Sequence, residues 1–170
     1  MKQIFRIILL ILFLAGILTG CGFQVPRPEI KEGKFHFSVT YSLNGEEKTV
    51  SGIYVCTYDG VDWALDGGYH RVWSGTIEGG SADDCYTIGT TEDGGAVILS
   101  LHLDPDYFMG EVVTGGIDVP APDLMVKYPE DALGGIEIIR EAEAIEEVYG
   151  AKIISFQYDD PIENSFGLFK

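Results

Sequence analysis

Phe35-His36-Phe37-Ser38-Val39-Thr40-Tyr41-Ser42-Leu43-Asn44-Gly45-Glu46-Glu47-Lys48-Thr49-Val50-Ser51-Gly52-Ile53-Tyr54-Val55-Cys56 decides the fold class. Phe35, Phe37, Val39 and Tyr41 alternate with His36, Ser38, Thr40 and Ser42. A period of two with one apolar face describes a strand buried on one side. Asn44-Gly45 then supplies the pair that a type I′ turn demands, because both central positions take positive φ. With these two as the loop, Ser42 pairs with Glu47, Val39 with Val50 and Phe35 with Tyr54. That register puts Val50, Gly52, Tyr54 and Cys56 on the face of Phe35, Phe37 and Val39, so both strands offer the same core an apolar side.

The pattern continues downstream. Asp66-Gly67-Gly68 reads as a turn and Tyr69 to Ile77 as a strand, followed by a polar, glycine-rich break from Gly79 to Asp84. A second hairpin centres on Glu92-Asp93-Gly94-Gly95. Val97, Leu99, Leu101 and Leu103 alternate behind it, and Tyr86, Ile88 and Thr90 face the same core from the other side. Asp104-Pro105 carries a cap and a first-turn proline for one short helical turn. Val119-Pro120-Ala121-Pro122 is extended or loop. Ile138, Ala142, Ile145 and Tyr149 follow a spacing of four, three and four, with Glu141, Glu143, Glu146 and Glu147 on other faces. This predicts a helix over about Glu137–Tyr149, closed by Gly150 in a left-handed cap. Lys152 to Tyr158 reads as a closing strand, with Ile154, Phe156 and Tyr158 alternating against Ile153, Ser155 and Gln157. Short strands with turn signals about every ten residues predict a mainly β fold: an antiparallel β-sandwich-like domain, or a barrel, with one α-helix near the C-terminus.

The N-terminus has a different character. Lys2 and Arg6 precede an apolar run of 12 residues from Ile7 to Leu18, and Leu18-Thr19-Gly20-Cys21 follows. A charged start, a short apolar segment and small residues form an export signal. With its cysteine, the tetrapeptide resembles the lipobox of bacterial lipoproteins. The resemblance implies a diacylglyceryl group, with acyl chains such as palmitate, on the Cys21 thiol and cleavage before that residue. A retained membrane helix is the competing reading, but a span needs roughly 20 apolar residues. An ordinary cleaved signal would leave Cys21 free. Two acyl chains hold a protein firmly where one binds only reversibly. The chain therefore divides into a signal peptide at 1–20, a lipid-anchored tether at 21–33 with Pro26 and Pro28, and one β-rich domain at 34–170.

The 170 residues carry 11 basic and 27 acidic side chains. Removing 1–20 takes away Lys2 and Arg6, leaving nine basic against 27 acidic and a formal net charge of −18. Such a surface is repelled by nucleic acid and by anionic headgroups, so a nucleic-acid partner is not expected. Val39-Thr40-Tyr41 to Asn44-Gly45-Glu46, Tyr58-Asp59-Gly60, and Ile153-Ile154-Ser155-Phe156 to Pro161-Ile162-Glu163-Asn164-Ser165-Phe166 are similar to stretches of small lipoproteins or secreted proteins of Gram-positive bacteria. That likeness implies a β-rich body at the extracytoplasmic face of the cell membrane and transfers no site residues.

Beyond Cys21, the cysteines are Cys56 and Cys85. In an exported chain two spare thiols suggest a disulfide, which for a loop of about 30 residues stabilises by roughly 3 to 4 kcal/mol. Parity opposes it: Cys56 is on the core face of its strand and Cys85 has the parity opposite to Tyr86 and Ile88. Two separate thiols are the alternative; neither lies in a Cys-x-x-Cys pair that would make a catalytic thiol.

Tyr54, Tyr58, Trp63, Tyr69 and Trp73 concentrate aromatic rings within twenty residues. Most are expected as packing, with Tyr54 inside and Trp63 outside. Trp63, Tyr69, Arg71 and Trp73 form the candidate binding surface, since exposed aromatics stack on sugars or on a partner. His102, Asp104 and Asp106 are candidates for a divalent metal, though Pro105 makes a turn the simpler reading. Asp59, Asp62 and Asp66 lack the alternate-position spacing of a calcium loop and suit turns. The chain has no Gly-x-Ser-x-Gly elbow, phosphate-binding glycine loop or zinc-protease motif. The expectation is a non-catalytic binding or cell-envelope module without a cofactor, held to the membrane by its diacylglycerol and facing a cell-wall glycan or an envelope protein. A carbohydrate- or wall-active enzyme and a metal-binding lipoprotein are the alternatives.

Overall fold

The alternating residues of the first hairpin form two long strands, β2 (Glu32–Leu43) and β3 (Glu46–Trp63), in the predicted register: Ser42 faces Glu47, Val39 faces Val50 and Phe35 faces Tyr54. Asn44 and Gly45 both have positive φ, as a type I′ turn requires. The computed structural model describes residues 25–63, 68–80, 84–111, 119–129, 138–139 and 141–167. Leu18 to Cys21, the stretch that resembles a lipobox, lies outside these, as do Asp66 and Gly67.

Two four-stranded antiparallel sheets carry the fold. The first has the order β4-β3-β2-β9, with β4 at Tyr69–Ile77 and β9 at Ala151–Tyr158. The second has the order β5-β6-β7-β8, with β5 at Cys85–Thr90, β6 at Ala96–Ser100, β7 at Asp123–Lys127 and β8 at Ile138–Ile139. Their apolar faces share one core. Phe35, Phe37, Val39, Tyr54 and Ile77 come from the first sheet, and Val97, Leu99, Leu124 and Val126 from the second. The fold is therefore a mainly β, sandwich-like one, and the second hairpin packs as its alternation predicts.

Among the described residues, two helices close the sides. Asp104 caps α1 (Pro105–Phe108) by accepting a hydrogen bond from the Asp106 backbone N–H at 2.9 Å. The turn drives Phe108 into the core, where its ring lies 4.7 Å from that of Phe35 and 5.6 Å from that of Tyr54. Burying such a ring stabilises by about 1.5–3 kcal/mol. Helix α2 (Ala142–Tyr149) buries Ile145 against β7 and β9 and ends at Gly150 with φ 61°.

Three expectations change. The helix begins at Ala142, not near Glu137, because Ile138 and Ile139 instead pair with Lys127 and Val126 and extend the second sheet. In β9 a bulge beside Thr40 and Tyr41 drops Ile154 from the ladder, so Ile153, Phe156 and Tyr158 pack on the core and Ile154 is exposed. The tether read over 21–33 is held on the body from Pro26 onward. Strand β1 (Arg27–Pro28) pairs with β10 (Phe166–Gly167), and the Asn164 side chain accepts from Ile30 N–H at 3.1 Å and donates to Ile30 C=O at 2.9 Å.

Candidate functional site

The β3–β4 hairpin outruns the core. A bulge at Asp59, with Gly60 at φ 118°, shifts its pairing from Tyr58 opposite Trp73 to Gly60 opposite Val72. The added residue reverses the alternation beyond it. Tyr54, Cys56, Tyr58, Val61 and Trp63 therefore share one face, opposite Ile77, Gly75, Trp73, Arg71 and Tyr69. Along this face burial falls in steps. Tyr54 and Trp73 are buried, Tyr58 is half-buried, and Trp63 and Tyr69 at the far end are 51% and 58% exposed. Trp63 and Tyr69 stand opposite each other in the ladder, next to exposed Val61.

Between core and tip sits an ion pair. Glu111 accepts from Arg71 Nε at 2.6 Å, from Arg71 Nη2, and from Trp73 Nε1 at 3.1 Å. Arg71 Nη1 donates to the Pro26 carbonyl at 3.0 Å, and the guanidinium lies 3.9 Å from the centre of the Phe166 ring. The side chains of Arg71 and Glu111 are only 13% and 8% exposed. Both carboxylate oxygens are engaged by fixed donors, so Glu111 acts as a positioning anion. Burial, followed by the charges of Asp104 and Glu111, pushes the nearby Asp106 carboxyl up to about 6.

The four expected surface residues thus separate. Trp63 and Tyr69 are outside, as an exposed patch needs. Trp73 is buried and Arg71 is largely covered, because Glu111 reaches them from 38 and 40 residues away. No local pattern announces Glu111, Pro26 or Phe166 as partners; only the buried polar groups of the assembled fold do.

The other expected residues are placed as follows. Cys21 lies outside the described residues. The bridge between Cys56 and Cys85 is not made: Cys56 points into the core and Cys85 is exposed on the opposite face of its strand, both as free thiols. Burial pushes the Cys56 thiol up to about 12, which makes it a packed, unreactive group. His102 turns to Asp123, with Nε2 to Oδ1 at 3.0 Å, while Asp104 caps α1; the triplet does not converge. Among the described residues no three potential ligands come together around a metal position, and no helix is long and apolar enough to cross a membrane.

The opposite end of the sandwich holds an open cleft of about 390 Å³, lined by Leu43, Asn44, Thr90, Asp93, Val148 and Tyr149 among others. The Tyr128 hydroxyl donates to Asp93 Oδ2 at 2.8 Å and lies 2.7 Å from the Tyr149 hydroxyl. Hydrogen bonds from Thr91 and Tyr128 hold the Asp93 carboxyl below its ordinary range. Comparison with family models, with curated proteins and with solved structures finds no match for this chain.

Proposed function

We propose that this chain is a membrane-anchored lipoprotein displayed on the extracytoplasmic face, whose domain acts as a non-catalytic binding module of the cell envelope. The observation that carries this reading is the exposed pair Trp63 and Tyr69, held side by side beyond the core on a hairpin braced by Arg71 and Glu111. Large exposed aromatics on a rigid support are contact residues, since they bury much area at little entropic cost. The anchor rests on Lys2, Arg6, the apolar run and Leu18-Thr19-Gly20-Cys21. The high acidity suits display at a surface and disfavours nucleic acid.

The anchor is tested by following Cys21→Ala through cell fractions: the substituted chain should leave the membrane or keep its leader, and a chain that stays at its normal mass would overturn lipidation. The contact role is tested by recovering what co-purifies from native membranes with the wild-type protein and with Trp63→Ala. Loss of an anchor aromatic weakens binding by roughly 1 to 4 kcal/mol, and undiminished recovery would remove this surface from the function.

A further inference from the structure

Among the described residues, eight large apolar side chains are exposed, and four of them, Ile30, Val61, Trp63 and Tyr69, lie at one end of the domain. The N-terminal chain enters at that same end. Arg71 fixes the Pro26 carbonyl, and the Lys31 carbonyl accepts from Tyr58 N–H. Cys21 precedes Pro26 by five residues. A fully extended chain of that length reaches at most about 17 Å. Tyr69 is two residues beyond Arg71 on β4. That places it about 7 Å further along the strand.

We propose that this end of the domain rests on the bilayer, with Trp63 and Tyr69 seated in the lipid headgroup layer beside the acyl anchor. The proposal builds on the lipoprotein reading above and names the partner of the same surface: the lipid in which the chain is anchored. Lipid fits this end better than a glycan or a protein. Trp and Tyr, each with an apolar body and one polar tip, are the residues that concentrate at membrane–water interfaces. The short, pinned tether holds this end, and no other, within reach of the membrane. The anchor also makes the contact intramolecular, so two aromatics suffice where they would not hold a free acidic domain against anionic lipid. Asp62 does not obstruct the contact, since it pairs with His70 and alternates to the face opposite Trp63. Strand β3, 18 residues long, runs from Trp63 back to Glu46 beside the Asn44 turn and its cleft. At the rise of an extended strand the cleft stands up to about 55 Å from Trp63.

The test uses the full chain, expressed in a bacterium, extracted from its membranes and reconstituted into phosphatidylcholine vesicles with or without brominated acyl chains. The protein has two tryptophans, Trp63 exposed and Trp73 buried, so bromine quenching reads Trp63. The expected result is a loss of emission in brominated vesicles that is greater for bromines near the headgroup than for bromines deep in the chains. Trp63→Phe should abolish the loss and Tyr69→Ser should reduce it. Equal emission in brominated and ordinary vesicles overturns the proposal, as does undiminished quenching in a folded Trp63→Phe protein. Should that variant not fold, the depth comparison in the wild type decides alone. A shift of Trp63 emission on adding wall glycan or an envelope extract, without lipid quenching, overturns it in favour of those partners. The intact mass of the extracted protein reports separately on the anchor: an unprocessed leader would refute lipidation of Cys21 while the chain still sat in the vesicle and the hairpin remained readable.

Discussion

The two ends of this sandwich solve the same problem in opposite ways. Each gathers ionisable and aromatic side chains where strands run out. At the Arg71 end the charges go inside: Glu111 and Arg71 are covered by Trp73, Phe166 and the Pro26 segment, while the large apolar rings Trp63 and Tyr69 stay outside. At the Asn44 end the polar groups stay accessible, with Asp93, Tyr128 and Tyr149 linked beside an open cleft and the apolar side chains Val97 and Ile145 inside. A buried ion pair is intolerant of losing one partner, whereas an exposed network can exchange its bonds for water. The end where the chain enters at Pro26 is thus built rigid, and the distal end is built wet.

The largest test of that difference is Glu111→Ala. It strands a covered guanidinium and an indole N–H, and should cost about 3–5 kcal/mol in urea unfolding. The pair Arg71→Met with Glu111→Leu should recover most of the loss, because removing both charges leaves neither unpaired. A single-variant loss below about 1 kcal/mol, the scale of an exposed pair, would erase the contrast between the ends. At the distal end, Gly150→Ala should cost about 1–2 kcal/mol, the penalty for a side chain in left-handed backbone. The added methyl also meets Asn44 Oδ1 at 3.1 Å. No change in thermal midpoint would show that the α2 cap and the Asn44 turn do not share one geometry.

A smaller, pH-dependent effect sharpens the picture of the Arg71 end. Asp106 is pushed from 3.8 up to about 6, so the folded chain holds a proton there that the unfolded chain has released. Its contribution is fully present below about pH 4 and is lost as pH rises through about 6. Asp106→Asn should therefore gain stability over the wild type at pH 7 and not at pH 4, measured as urea midpoints. An equal difference at both values would mean that the carboxyl is solvated. The smallest expected effect belongs to Trp63→Ala, whose stability should stay within about 0.5 kcal/mol of the wild type. Unfolding by the roughly 3 to 5 kcal/mol of a core tryptophan would make Trp63 packing and dissolve the contrast from the other side.

Much of the frame is legible in the sequence where the signal is local. The Asn44-Gly45 register, the bounds of β4, the alternation from Val97 to Leu103, the Asp104 cap and the Gly150 cap all depend on neighbours within a few residues, and each is found as read. The placement of Tyr54 inside and Trp63 outside also follows from the register and the turn. What escapes depends on distant segments. Helical spacing at Ile138 loses to pairing with Val126 and Lys127. The coverage of Arg71 and Trp73 needs Glu111, Pro26 and Phe166, which no periodicity connects to β4. The Asp59 bulge is a single residue whose effect, turning Val61 and Trp63 to the face of Trp73, appears only once both strands are paired.

The strap that residues 164–167 lay over residues 26–30 has a mechanical consequence. Any pull on Cys21 enters the domain there, through a two-residue pairing of β1 with β10, the reciprocal bonds of Asn164 with Ile30, the 2.8 Å bond from Glu29 N–H to the Ser165 carbonyl, and the single bond from Arg71 to Pro26. Strand β2, next in line, is stitched to β3 on one side and β9 on the other. Under load the strap peels first and releases residues 26–30, about 17 Å of extended chain, before the core feels the force. In a single-molecule pulling trace this is a short first step ahead of the main rupture; one undivided rupture would mean that strap and sheet yield together. If the proposed anchor holds the chain at Cys21, the domain has a built-in slack, spent only when something draws it away from that attachment.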